Sequence, residues 1–372
     1  MTQIFKGIRI DNKEIKLAAF ADDLTTFLLD KVSLGYLSNT MRLFGECSGL
    51  KLNDKKTKAH WLGSSHNCEE LLSIETVKKP IKIPGTFFTY NWHWKQELNF
   101  SAILDSLRKS LNSWQWRNLT IMGKIQVIKS FALSKFMYRA SLISLDKTMI
   151  KTIDSVMFKF LWKGKDKIKW LALISDYKDG GLRLPHIESA ITTQRMMCLK
   201  KFTESYFSPW KAVLSYFLKD YGGNFISRCN FKPSDILYDH LSSFYCDCLT
   251  AWSTINNKRI SSSSQVLDEI LWNNQFLRIG NKPLFSKKLF AKGIVHVSDI
   301  FSDDGRLLSW DHFRGKGLNF NDYLLIFGLS KALPGSWRNL LHTENNNKSH
   351  QNERHLDLSV QLNDESVSIS TF

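Results

Sequence analysis

The sequence predicts an α+β chain in which a strand-rich first part gives way to a mainly helical remainder. Three observations carry this. The run Lys16–Phe20 and the β-prone run Leu24–Leu29 flank Ala21-Asp22-Asp23 in the way two strands flank a turn. From Trp92 onward apolar residues such as Leu98, Ile103, Leu107 and Leu111 recur at helical spacing. A hydrophobic content of 43% over 372 residues suffices to bury a substantial core across two or three domains.

Taken in order, residues 1–10 alternate apolar and polar, and Asp11-Asn12-Lys13-Glu14 reads as a turn into a second strand. A two-stranded hairpin is marginal in water, so further strands are expected upstream of this point. The hairpin around Phe20-Ala21-Asp22-Asp23 places two carboxylates at its end. Adjacent carboxylates repel, and a fold that holds them together commonly supplies an oxygen-seeking divalent cation, for which Mg²⁺ is the natural candidate. The alternative is an ordinary solvated turn.

A helix follows with Leu34, Leu37, Met41 and Phe44 on one face, stopping at Gly49 as a C′ glycine. Lys51 to Lys58 then brings positive charge near the hairpin and reads by itself as a lysine-rich surface turn. Pro84-Gly85 suits a type II turn between two short strands.

Charge is the more informative composition term. The chain carries a formal +16, and residues 101–210 hold 19 Lys or Arg against 8 Asp or Glu. Such a balance favours an anionic polymer as partner over a membrane surface, and places its contact in the middle of the chain. There Trp114, Trp116, Arg117 and Lys124 lie within one stretch, and Lys163 and Lys165 follow Trp162. Indole stacks on bases while a nearby cation meets phosphate. For Trp162 and Trp170 a core role competes with that reading.

Six cysteines without repeated spacing indicate neither a disulfide framework nor a zinc site. With no leader and no apolar run of membrane-spanning length, the chain is expected to be intracellular and to have no membrane partner.

The order of Phe20-Ala21-Asp22-Asp23, helix, Ser48-Gly49-Leu50-Lys51-Leu52-Asn53 and Lys56-Thr57 resembles the palm of reverse transcriptases from LINE-type non-LTR retrotransposons. Further matches come in the family's order. They are Lys82–Phe88, Ser113–Ile125, Phe158–Lys165, Trp170 and Lys178–Pro185, with Pro84 where the family usually has leucine.

The resemblance covers about residues 1–205. It implies a partial polymerase palm sheet carrying the Phe-Ala-Asp-Asp hairpin (1–90) and a helical thumb or post-palm region (91–205), and a weaker match continues into a helix-rich extension (206–342). Residues 343–372, rich in Asn, Ser, Glu, Gln and Asp with little to bury, are expected to be a disordered tail. Asp22 and Asp23 would bind Mg²⁺, Lys56 would sit beside the leaving pyrophosphate, and Gly85 would belong to a primer-grip turn.

The implied parent activity is RNA-templated DNA synthesis, with an RNA template, a DNA primer or hybrid, and dNTP as partners. The fingers, the first palm half with its metal-binding aspartate, an endonuclease motif set and a zinc knuckle have no counterpart here. The alternatives are therefore a non-catalytic nucleic-acid-binding helical module or a decayed retrotransposon remnant. His296, Asp299, Asp303 and Asp304 read as polar turn residues rather than a second metal site.

Overall fold

A computed structural model describes residues 5–10, 12–53, 55–60, 80–83, 85–89, 94–162, 168–236, 241–256, 260–280, 282–302 and 305–342. The chain is mixed α and β and divides into two compact units, one of residues 1–227 and 237–254, the other of 228–236 and 255–372. The expected tail, 343–372, lies outside the described residues, as do Asp303 and Asp304.

The first unit opens with the antiparallel pair β1 (Ile8–Ile10) and β2 (Lys13–Ile15), then β3 (Leu17–Phe20) and β4 (Asp23–Thr26). The expected partial sheet does not form as one sheet: among the described residues every ladder has two strands. Phe27 N–H donating to Lys16 O at 2.7 Å prolongs the β3–β4 pairing by one step, and Leu29 N–H donating to Lys6 O at 3.1 Å ties the end of that ribbon to the segment before β1. All four residues of β3 are exposed, so this ribbon is held by its backbone and turn rather than by a covering layer.

Helix α1 (Lys31–Ser48) starts where Asp30 accepts from Ser33 N–H at 2.7 Å, a bond that also lowers the Asp30 carboxyl pKa. It ends at Gly49, whose φ of 74° is left-handed and whose N–H returns to Gly45 O. Of its expected apolar face only Leu34 is buried, and Phe44 is exposed.

Strands β5 (Ile81–Ile83) and β6 (Thr86–Phe88) form the third hairpin, and a helical body follows. It comprises α2 (Trp94–Gln115), α3 (Ile121–Val127), α4 (Ser134–Ala140) and α5 (Lys147–Trp162), with a π-helical stretch, Ile128–Leu133, joining α3 to α4. The buried stripe of α2 is Phe100, Leu104, Leu107 and Leu111. Spacing alone points to Leu98 and Ile103 in the first half of that stripe. The difference is one of phase, because period alone leaves neighbouring stripes equivalent and packing partners choose between them. Here Phe136 of α4 makes the choice, lying parallel to Phe100 with ring centroids 6.4 Å apart.

The unit continues with α6 (Trp170–Ile174), α7 (Ile187–Thr203), α8 (Pro209–Phe217) and α9 (Ser243–Asn256). Core side chains from α2 through α7 form one cluster, against which Trp162 and Trp170 pack partly buried. Arg195 of α7 is buried, donates to Ile143 O at 3.0 Å and lies 4.2 Å from the Phe244 ring centroid in α9.

Asp154 on α5 is half-buried and one carboxylate oxygen has no hydrogen-bond partner. Burial pushes its carboxyl up to about 6, against the opposing pull of His186. The folded state therefore holds this proton to higher pH than the unfolded state does. The associated stability is fully present below about pH 4 and is lost as pH rises through about 6. Asp154→Asn should melt with wild type near pH 4 and be more stable by about 1 kcal/mol near pH 7, after allowance for solvent screening. Thermal melts across that range check it, and two parallel curves would count against it.

The second unit contains α10 (Ser263–Leu267), the pair β7 (Arg278–Ile279) and β8 (Lys282–Pro283), α11 (Lys287–Ala291), α12 (Trp310–Gly315) and α13 (Phe320–Ala332). Its core centres on Trp272, fully buried, with the indole N–H donating to Ile294 O at 2.7 Å. A fork of hydrogen bonds at 3.0 and 2.9 Å joins Arg278 to Asp235. Asp299 accepts from Val295 N–H at 2.8 Å and His296 N–H at 2.7 Å, so it closes a turn.

Candidate functional site

The two acids occupy a tight hairpin. Strand register runs Leu17↔Thr26, Ala18↔Thr25, Ala19↔Leu24 and Phe20↔Asp23, leaving Ala21 and Asp22 as the turn. Ala21 has φ of 52° and Asp22 does not have positive φ, the combination of a type II′ turn, which favours glycine at the first position. An alanine there costs about 1 kcal/mol or more, and strain of this kind tends to persist where function requires it.

Asp22 and Asp23 are both exposed at this tip. Two carboxylates are a partial ligand set for a divalent cation, and among the described residues no group of three His, Cys, Asp or Glu side chains comes together as a metal cage. The pair in this chain thus does not by itself fit a two-metal centre.

Lys56 sits in a turn closed by its own N–H donating to Asn53 O at 3.0 Å, and its side chain is exposed. No ion pair joins it to Asp22 or Asp23 among the described residues.

Gly85 takes φ of 74° between β5 and β6, the conformation that the second position of a type II turn requires. Pro84 lies outside the described residues. A Cβ on Gly85 would stand 3.0 Å from a ring carbon of Tyr138 in α4, so this turn rests against that ring.

The hairpin is fastened by a residue that sequence reasoning missed. Buried Asn99 accepts from Phe87 N–H at 2.8 Å and donates to Phe87 O at 2.9 Å and Lys95 O at 2.9 Å. It acts as a side-chain extension of the β-ladder. Its one detectable sign was a polar residue on the edge of an apolar helical stripe.

The end of α2 carries the aromatic and basic residues singled out in the sequence. Trp114 packs on Phe131 at 5.5 Å between ring centroids, and the Arg117 guanidinium lies 4.2 Å from the Trp114 ring centroid. Trp116 is 91% exposed. Lys124 donates to Leu161 O at 2.8 Å, one of the last carbonyls of α5, so its ammonium caps that helix. Lys163 and Lys165 lie outside the described residues.

No helix among the described residues is long and apolar enough to cross a membrane. No protein-family model matches the chain. The uncharacterized 149 kDa protein of transposon TX1 from Xenopus laevis is 23% identical over 307 residues, covering 77% of this chain. The chain spans 23% of that protein's length. The likeness supports the transposon-related origin that the order of motifs implies.

Proposed function

We propose that this chain is the palm-hairpin and thumb portion of a retrotransposon reverse transcriptase. In that reading it engages an RNA template and a DNA primer or hybrid, and Asp22 and Asp23 supply part of the Mg²⁺ ligand set. The observation that carries the reading is the strained two-residue turn that holds Asp22, with Asp23 at the first strand position after it, in a chain whose motifs follow the family's order. Asp22 and Asp23 would offer carboxylate oxygens to Mg²⁺, and the remaining ligands of such a centre would have to come from outside the described residues. What this chain's own residues contribute is orientation: the turn fixes the acids, and Asn99 fixes the Gly85 hairpin against the helical body.

A second reading, a nucleic-acid-binding module without catalysis, is favoured by the incomplete ligand set around the acids among the described residues. Both readings expect the chain alone to bind an RNA–DNA hybrid and to leave a primer unextended with Mg²⁺ and dNTPs, because two carboxylates from one hairpin cannot position two cations and a nucleotide. Extension that disappears in the Asp22→Asn, Asp23→Asn variant would show that this chain holds a complete centre and overturn the partial-set view. A chain that binds no nucleic acid at low salt would remove both readings.

A further inference from the structure

Between α2 and α5 lies a cleft of about 520 Å³. Its walls are Arg108, Asn112 and Gln115 from α2 and Lys151, Ser155 and Lys159 from α5. These positions recur every three or four residues along each helix, so each set forms one stripe. The floor is apolar, made by buried Leu111 and Phe160.

Among the described residues no acidic side chain lines the cleft. Arg108 has one anionic neighbour, Asp105 at 3.1 Å on its own helix, and both side chains are about half-exposed or more. A pair so exposed is weak, and an incoming anion can take over the guanidinium. Three cations, two side-chain amides and the hydroxyls of Thr152 and Ser155 thus line the cleft with donors in excess of acceptors, which is the chemistry of a phosphate seat. Arg108, Asn112, Lys151, Ser155 and Lys159 are all exposed, so the cleft does not enclose a small molecule; it suits a polymer lying along it.

The choice among anionic polymers is made by what adjoins the cleft. Gln115 lines it, and the next residue, Trp116, exposes 91% of its surface to solvent. An indole so placed gains nothing from the core and offers a free face to a base. Behind it, Arg117 is already stacked on Trp114.

We propose that the α2–α5 cleft seats the phosphates of a single nucleic-acid strand and that Trp116 stacks on an unpaired base of that strand. The proposal rests on the nucleic-acid reading above and assigns the contact to Arg108, Lys151, Lys159 and Trp116 in particular.

The test uses the full chain and a labelled single-stranded RNA oligonucleotide, with binding followed by fluorescence anisotropy between about 50 and 200 mM salt. The Arg108→Gln, Lys151→Gln, Lys159→Gln variant is expected to lower the log–log salt slope by roughly 2, at about 0.7 for each phosphate that is no longer neutralised. Lys287→Gln, Lys288→Gln, Lys292→Gln in the second unit should leave the slope as it is. Trp116→Ala should weaken binding by about fivefold or more with the slope preserved, and this loss should vanish on an abasic strand of equal length.

Wild type that binds neither this strand nor an RNA–DNA hybrid would sink the nucleic-acid reading itself, and wild type that binds the hybrid but not the single strand would overturn the cleft proposal alone. Binding whose slope survives the cleft variant would keep that reading and overturn the cleft. An equal Trp116→Ala loss on the abasic strand, or the same loss with heparin as ligand, would overturn the stacking assignment. All four side chains are largely exposed, and a melting curve for each variant matching wild type is the expected control.

Discussion

Asn99→Ala is expected to destabilise the first unit by about 3 kcal/mol and to release the β5–β6 hairpin. The side chain is fully buried and makes three hydrogen bonds, two to Phe87 and one to Lys95 O. Alanine removes all three at once and leaves the Phe87 N–H and C=O without these partners. Each such bond contributes about 1 kcal/mol, and an orphaned buried group costs more than the bond was worth. The readouts are urea unfolding and hydrogen exchange at the Phe87 amide. A loss under about 1 kcal/mol, or an amide as protected as in wild type, would show that β6 is held by other contacts. A loosened hairpin in a protein that still melts near wild type would place the effect in the Gly85 turn alone.

The Gly181→Ala variant should lose about 3 kcal/mol or more, and Gly180→Ala only about 1. A Cβ on Gly181 would lie 2.0 Å from Ser175 O and 2.3 Å from Ser175 C. Those are backbone atoms, held by Arg183 N–H donating to Ser175 O at 3.0 Å and by Gly181 N–H donating to Asp176 O at 2.8 Å. Relief of the overlap would break both bonds and disturb the bidentate Arg183–Asp176 pair at 2.9 and 2.8 Å. Gly180 has φ of 75° but open space where its Cβ would go, so alanine there meets backbone strain without collision. Thermal melts of the two variants decide the matter. Equal losses would mean that the turn opens to admit the methyl group.

The locally encoded features were legible in the sequence. Gly49 ends its helix, Gly85 bends its hairpin, and Ala21-Asp22 is the tip of the ribbon that its flanking apolar runs indicate. Each of these is decided within a few residues, by a conformation that glycine permits or by the pairing of two adjacent strands. The placement of Trp162 and Trp170 against the core also follows the alternative that their apolar neighbours offered.

Features that depend on a distant partner were not legible. The buried stripe of α2 is shifted in phase by its packing on α4, since periodicity fixes the width of an apolar face and not which helix meets it. Trp114 and Trp116, two residues apart, have different fates because Trp114 is still on α2 and packs on Phe131, whereas Trp116 lies one residue past the helix end and is exposed. The strands near the acids were expected to belong to a larger sheet, yet they pair two by two among the described residues.

The mixed class, the hairpin of acids, the excess of positive charge in residues 101–210 and the motif order that points to a transposon are all readable from residue order alone. Long-range packing alone makes Asn99 anchor the Gly85 hairpin, makes Lys124 cap α5, and sets Lys151 and Lys159 across one cleft from Arg108 beside an open indole. The reason is reach. Turn and cap geometry is set by interactions a few residues long, whereas the cleft-lining stretches of α2 and α5 stand some forty residues apart in sequence and meet only because both bury apolar stripes in the same core.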